Sequence, residues 1–119
     1  MTGKPLLLRP LAQADIDAIF ADCRAEGGLS LAEQFADQLE KALRTLATHP
    51  AIGSRRYADL LGIPGLRSWP VKPWAYLIFY IDDAGKIDIW RVLHGRRDIP
   101  ALLGDADLGE GDDGDWLSG

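Results

Sequence analysis

The sequence of 119 residues holds one cysteine and two histidines. One cysteine cannot form an internal disulfide, and no cysteines and histidines stand at the spacing of a metal site. The longest apolar run, residues 75–81, is far shorter than the ~20 residues of a membrane-spanning helix. The N-terminal residues lead into only three leucines, so we expect no secretory signal peptide. These absences predict a cytoplasmic chain with no metal, no cofactor and no membrane partner.

Basic residues are missing from the last fifteen positions, which hold six of the 18 acids. Residues 1–104 therefore carry 13 bases against 12 acids, a net charge of +1. Most bases of the second half lie in two stretches, 54–72 and 86–97, each with four bases and one acid. A net charge of +1 is far from the strong positive field of dedicated nucleic-acid binders, so we expect no direct nucleic-acid binding.

Acids and glycines dominate residues 104–119. Such a composition buries too little apolar surface to offset the entropy lost on ordering, so we predict a disordered acidic tail. Residues 1–103 are then a single domain. An alternative hypothesis is that the tail's acids, together with Trp116 and Leu117, fold back onto the arginines of the domain.

The apolar pattern of residues 1–103 predicts an α+β fold of order β-α-α-β-β-β. A short apolar run between Pro5 and Pro10 is typical of an edge strand. Two stripes of apolar residues at helical spacing follow, separated by Gly27-Gly28, and predict an antiparallel helical hairpin. Residues 50–65 have the composition of a loop. Three strands (66–71, 75–81 and 86–94) then form a mainly antiparallel sheet, whose two partly apolar faces both require cover.

Polar residues gather where the last strand ends. His94, Arg96 and Arg97 follow one another around Gly95, and Arg67 and Lys72 lie beside them if the register of the sheet allows. Fixed cations at a rigid strand end suit a surface that binds a macromolecule. The alternative interpretation is a solvated strand end in which His94 bonds to the backbone. No phosphate-binding loop, nucleophile elbow or metalloprotease motif is present, so no catalytic residue is assigned.

The stretch RVLHGRRDI (residues 91–99), preceded by VKPWAYLIFY (71–80), resembles the C-terminal half of ParE toxins. These belong to the RelE/ParE superfamily of type II toxin–antitoxin systems. The superfamily's β-α-α-β-β-β order agrees with the pattern above, so the resemblance covers roughly residues 4–103. Ile81 departs from it, since an arginine is frequent at that position.

The resemblance implies a toxin that inhibits DNA gyrase, is neutralised by a ParD-like antitoxin and forms a hetero-oligomer with it. Candidates for the toxic surface are Arg67, His94, Arg96 and Arg97. RelE-like relatives instead cut mRNA on the ribosome, and that endoribonuclease activity is the first alternative. The late tyrosine of such enzymes has no counterpart after His94, which favours a stoichiometric inhibitor. An inactive homologue that only sequesters antitoxin is the third possibility.

Three tryptophans of the predicted sheet, Trp69, Trp74 and Trp90, are candidates for the antitoxin interface. Tryptophans dominate the binding energy of many interfaces. The alternative is that each packs in the sheet as an ordinary core aromatic. Antitoxins of this class present a segment that folds on the toxin, and such segments cover large surfaces.

Overall fold

The chain folds as a bent helix packed on a four-stranded sheet, in the α+β class that the sequence predicts. The computed structural model describes residues 3–96 and 99–103. Its elements are β1 (Leu6–Leu8), α1 (Pro10–Thr48), a 3-10 turn (Pro50–Ile52), α2 (Arg56–Leu61), β2 (Leu66–Val71), β3 (Tyr76–Asp82) and β4 (Ile87–His94). Residues 99–103 are helical again. The tail 104–119, and with it the prediction of disorder, lies outside the described residues.

The predicted helical hairpin is formed by the two arms of α1, which bends at Gly28. This glycine has φ 74° and ψ −172°, far from helical values. A straight helix of 39 residues would be about 58 Å long, whereas the longest dimension of the molecule is 40 Å. We call residues 10–27 the first arm and residues 29–48 the second arm. Buried residues of both arms belong to one apolar cluster on the same side of the sheet.

The sheet has the order β1-β4-β3-β2. β2, β3 and β4 form an antiparallel meander, and β1 lies parallel to β4 at one edge, where the prolines predict it. The pairing of β3 with β4 is irregular: Tyr80 lies opposite Ile89 and Phe79 opposite Arg91. Trp90 is therefore the additional residue of a β-bulge, and its side chain lies in the second face of the sheet.

Both faces of the sheet are covered, as the two-sided apolar pattern of β3 predicts. On one face, Ile78 and Tyr80 pack beneath the arms of α1. On the other face, Phe79 packs in a second cluster with residues of α2 and of the helical segment 99–103. The buried members of this second cluster are Ala58, Leu66, Phe79, Trp90, Leu93, Ile99 and Leu103.

The helix α2 is absent from the sequence prediction, which treated residues 50–65 as a loop. Gly53, Gly62, Pro64 and Gly65 surround it and make the whole stretch look irregular. The helix has only six residues and one buried side chain, Ala58, so it offers too short a stripe for a periodic pattern. No helix in the described ranges is both long enough and apolar enough to cross a membrane.

Candidate functional site

The end of β4 carries the exposed cation that the sequence predicts there. His94 is the last residue of the strand, and Arg96 is exposed in the turn that follows. The backbone N–H of Arg96 donates to Nδ1 of His94 at 3.1 Å, and the imidazole ring lies edge-on to Tyr76 with ring centroids 5.4 Å apart. His94 thus fixes the turn that presents Arg96. Arg97, the next candidate, lies outside the described residues.

Arg67 lies in a different place and holds a loop. Its guanidinium donates to the carbonyl oxygens of Ala51 and Gly53 at 3.1 and 2.9 Å. The neighbouring Tyr80 hydroxyl accepts the Gly53 N–H at 2.9 Å and donates to the Pro50 carbonyl at 2.7 Å. Residues 50–53 are therefore fixed to the sheet from two sides, and Arg67 is part of that arrangement.

The strand register separates Arg67 from the end of β4. Arg67 is level with Tyr80, whereas His94 is level with Tyr76. Four residues along a strand and two strand spacings put roughly 16 Å between the two positions. The structure therefore does not bring Arg67 beside His94 and Arg96. Lys72, which directly follows β2, is level with the end of β4 and exposed.

Arg91, a cation within β4, forms an ion pair inside the protein. Its guanidinium donates to both carboxylate oxygens of Asp15 at 2.7 and 2.8 Å, and to the Leu102 carbonyl at 3.2 Å. The Val92 N–H donates to the same carboxylate at 3.0 Å. Arg91 and Asp15 are only 11% and 13% exposed. The pair joins the first arm, β4 and the segment 99–103, and it withdraws one positive charge from the surface.

Trp90 lies inside the protein, not on an open surface. It is 5% exposed, and the Arg9 guanidinium stacks over its ring, 4.3 Å from the centroid. Arg9 also forms a two-pronged ion pair with Asp88, with distances of 3.0 and 2.8 Å. Of the three candidate tryptophans, Trp90 therefore has almost no surface to offer a partner.

Trp69 and Trp74, by contrast, are half-buried in two adjacent grooves beside the second arm. The Trp69 groove has a volume of about 320 Å³, and the Trp74 groove one of about 420 Å³. Gln38 borders both, and we call the two grooves together the tryptophan groove. Both volumes lie in the ~300–1,000 Å³ range of ligand pockets. The remaining lining residues are Leu31, Gln34, Asp37, Lys41, Ala42, Thr45, Pro70, Lys72 and Pro73.

A third depression, between the first arm and the end of the sheet, holds the groups that could exchange protons. Tyr76, His94, Asp15 and Asp22 line it. Burial raises the pKa of the Tyr76 hydroxyl, and the negative charge at Cys23, Asp22 and Glu26 raises it further. The phenol is therefore a weak acid at neutral pH. Among residues 3–96 and 99–103, no three acidic, histidine or cysteine side chains gather to hold a metal ion.

The structural roles of Asp15 and Arg91 were missed in the sequence. Asp15 stands near the start of the first arm, where the helix dipole alone accounts for an acid. It also lies three residues after Ala12 and four before Ile19, both buried. An acid in a buried helical stripe indicates a buried cation elsewhere in the chain. That signal was present, whereas the choice of Arg91 as partner depends on the packing of α1 on β4.

Comparison with known proteins agrees with this architecture. The family described as "ParE toxin of type II toxin-antitoxin system, parDE" matches residues 6–99. The curated "Toxin ParE3" of Caulobacter vibrioides is 33% identical over 102 residues, which covers 86% of this chain and 96% of that protein. "Toxin ParE1" of Mycobacterium tuberculosis is 37% identical over 99 residues, or 82% of this chain and 95% of that protein.

A solved structure shares the fold. It is described as "Chromosomal ParDE TA system from P. aeruginosa" and superposes with a TM-score of 0.65 at 19% identity, covering 76% of this chain and 95% of that one. At this identity the likeness concerns the fold alone. The family match spans every strand and both arms of α1, and two curated relatives exceed 30% identity over nearly their whole length. The chain therefore belongs to the ParE toxin family of type II toxin–antitoxin systems.

Proposed function

We propose that this chain is a cytoplasmic toxin that inhibits DNA gyrase and is neutralised by a ParD-like antitoxin, with which it forms a hetero-oligomer. Family membership over residues 6–99 is the observation that carries the proposal. The structural neighbour comes from a ParDE system, which supports an antitoxin as partner. Gyrase is the target that the resemblance of the last strands to ParE toxins implies.

Arg96 and Arg97 are the proposed contacts with the target, and His94 positions Arg96. Arg96 is exposed, and its backbone is fixed by the imidazole, so the cation is presented without a large entropic cost. Lys72 adds positive charge at the same end of the sheet. Arg67 lies about 16 Å away by strand geometry, and an ordinary interface of ~800 Å² per partner spans that distance.

Parallel assays of gyrase supercoiling and of ribosome-bound mRNA cleavage test the target. We expect the wild-type chain to block supercoiling and to leave the mRNA intact. The double variant Arg96→Gln/Arg97→Gln should raise the concentration for half-inhibition by roughly tenfold, or ~1.4 kcal/mol. Arg24→Gln, which removes an exposed cation of the first arm, should leave it unchanged. Cleaved mRNA with undisturbed supercoiling would reject gyrase as the target.

The ribonuclease alternative draws support from one observation, the contact of His94 with Tyr76. A histidine and a tyrosine in contact are suitable groups for general acid–base catalysis. Three features weigh against it. Nδ1 of His94 already accepts the Arg96 N–H, and the raised pKa of Tyr76 disfavours its phenolate. Arg91, the cation that lines the same depression, is held by Asp15. We therefore propose gyrase inhibition as the principal function.

The antitoxin is proposed to occupy the tryptophan groove. Trp74 is held edge-on to Phe35, with ring centroids 5.7 Å apart, so its ring is fixed before binding. Lys41 and Lys72 line the Trp69 groove, and Asp37 lines the Trp74 groove, so the two cations lie at the Trp69 end. Aromatic rings beside lysines favour a segment that alternates apolar and acidic residues, and such a segment gains its structure on binding.

Alanine substitution measures this interface. Trp69→Ala and Trp74→Ala should each weaken antitoxin affinity by roughly 30-fold, the ≥2 kcal/mol of an interface hot spot. The matched control is Leu7→Ala, an exposed apolar residue (47%) on β1 at the opposite edge of the sheet. Affinity is read by titration calorimetry. Lys41→Glu/Lys72→Glu tests the same groove without touching an aromatic, and unchanged affinity in all three variants would contradict the assignment.

A further inference from the structure

The acidic tail has a candidate binding surface on its own chain. We propose that residues 104–119 bind across the outer face of α2, against Arg55, Arg56 and Leu60. This surface differs from the tryptophan groove and from the end of β4. The inference concerns the free chain and holds whatever the target of the toxin is. It also concerns a segment that the family match, which ends at residue 99, does not include.

The tail follows a segment that packs on the same face of the sheet as α2. Leu103, the last described residue, is fully buried in the second cluster. Ala58, the buried residue of α2, belongs to the same cluster, and so do Tyr57 and Leu61 at its margin. The helix and Leu103 thus lie on the same face of the sheet. A segment tethered by a short flexible link to the domain that carries its binding surface acts at an effective concentration in the millimolar range.

The charges of the two surfaces are complementary. The tail carries six acids and no base. Arg55 and Arg56 are exposed, and within the described residues neither forms an ion pair. Asp59 is the one acid of the helix, so the cations outnumber it.

The outer face of α2 also offers apolar contact. Leu60 is 65% exposed, more than any other large apolar side chain of the described residues. It lies four positions after Arg56, so the two side chains are neighbours on one helical face. The tail repeats this combination in the opposite charge, because Trp116 and Leu117 directly follow Asp115. The acidic and apolar side chains of the tail therefore complement the basic and apolar side chains of α2.

The length of the tail allows this contact. Twelve residues lie between Leu103 and Trp116, and this stretch spans at most about 45 Å when extended. A six-residue helix is only about 9 Å long. The tail therefore reaches the whole of α2 and has enough chain left to double back along it.

A spin label on the tail locates its binding surface by NMR. The variant Ser118→Cys carries the label in the full-length chain. Cys23 is buried, and burial together with Glu26 and Asp22 raises the pKa of its thiol, so it competes poorly for the reagent. We expect the amide signals of residues 55–61 to be broadened selectively. The broadening should fall by roughly half or more at about 1 M salt, where the screening length drops from ~10 Å to ~3 Å.

Charge variants show whether the broadening depends on the arginines of α2 or on any exposed cation. Arg55→Gln/Arg56→Gln should remove most of the broadening, whereas Arg24→Gln/Lys41→Gln, a matched pair of exposed cations on α1, should preserve it. Leu60→Ser should reduce it at low and high salt alike. Broadening that is absent, unaffected by the α2 arginines, or centred on the tryptophan groove or the end of β4 would overturn the proposal. None of these outcomes bears on gyrase inhibition, which is measured separately.

Discussion

Tyr80 shows how a single buried hydroxyl fixes a loop to the sheet. The side chain is fully buried, and its hydroxyl serves both the Gly53 N–H and the Pro50 carbonyl. A Cβ at position 53 would lie 2.5 Å from that hydroxyl, so only glycine permits the approach. Arg67 completes the arrangement with two bonds to the same loop. The consequence is a fixed path from α1 to α2.

Tyr80→Phe should lower the free energy of unfolding by about 1–3 kcal/mol, because it leaves a buried N–H and a carbonyl without their partner. Urea denaturation measures the change. Tyr57→Phe is the matched control: the Tyr57 ring packs on Phe79, and its hydroxyl makes no hydrogen bond among the described residues. The control should stay within ~0.5 kcal/mol of wild type. An equal loss in both variants would contradict the role given to the Tyr80 hydroxyl.

The same residue gives the stability a dependence on alkaline pH. Burial raises the pKa of Tyr80 above its ordinary value of 10.0, against the opposing effects of Gly53 and Arg67. Well below pH 10 the Tyr80 hydroxyl keeps its proton in both the folded and the unfolded chain. As the pH rises through 10, the unfolded chain releases this proton first, so the free energy of unfolding falls. In Tyr80→Phe this fall should be shallower, with the part due to Tyr76 remaining.

Residue types at the strand end were predictable, but their neighbours were not. His94 and Arg96 are two positions apart in the sequence, so their contact is local. Arg67 lies in the first basic stretch of the sequence and Arg91 in the second. In the structure Arg67 holds a loop, whereas Arg91 binds an internal carboxylate. These partners lie 14 and 76 positions away. Only the register of the sheet and the packing of the first arm bring them together.

At the scale of elements, the bend of α1 depends on Gly28. Its φ of 74° and ψ of −172° lie in a region that is essentially restricted to glycine. No atom lies within 4 Å of a Cβ at this position, so a side chain would meet backbone strain alone. The glycine pair in the sequence predicts this break correctly.

Gly28→Ala should therefore destabilise the fold by about 1–3 kcal/mol. Thermal or urea unfolding gives the value. Gly85→Ala serves as control, since a Cβ there also meets nothing within 4 Å and no positive φ is involved; its effect should stay within ~0.5 kcal/mol. A Gly28→Ala protein as stable as wild type would show that the bend does not require glycine.

The longer elements were predictable because their patterns are strong. A run rich in aromatic and β-branched residues locates β3 within one residue, and the helical stripe locates both arms of α1. The bulge at Trp90 was not predictable, since it is a matter of pairing between strands. Trp90 lies under Arg9 and is a core residue, although the sequence offers it as an anchor for a partner.

At the scale of the whole molecule, the charge is divided between surfaces. Internal pairs remove Arg91 and Arg9 from the positive surface. Arg96 and Lys72 remain at one end of the sheet, and Arg55 and Arg56 on α2. We assign the first surface to the target and the second to the acidic tail. The tryptophan groove, bordered by Lys41, is left for the antitoxin.

The most direct measurement is the stoichiometry of gyrase inhibition by the purified chain. A binding toxin predicts that supercoiling falls in proportion to added chain, reaches its limit at a fixed molar ratio to gyrase, does not deepen with longer incubation, and recovers when antitoxin is added. Inhibition that continues to grow with time at a small fraction of the gyrase concentration, or gyrase that keeps its full activity at molar excess of the chain, would contradict it.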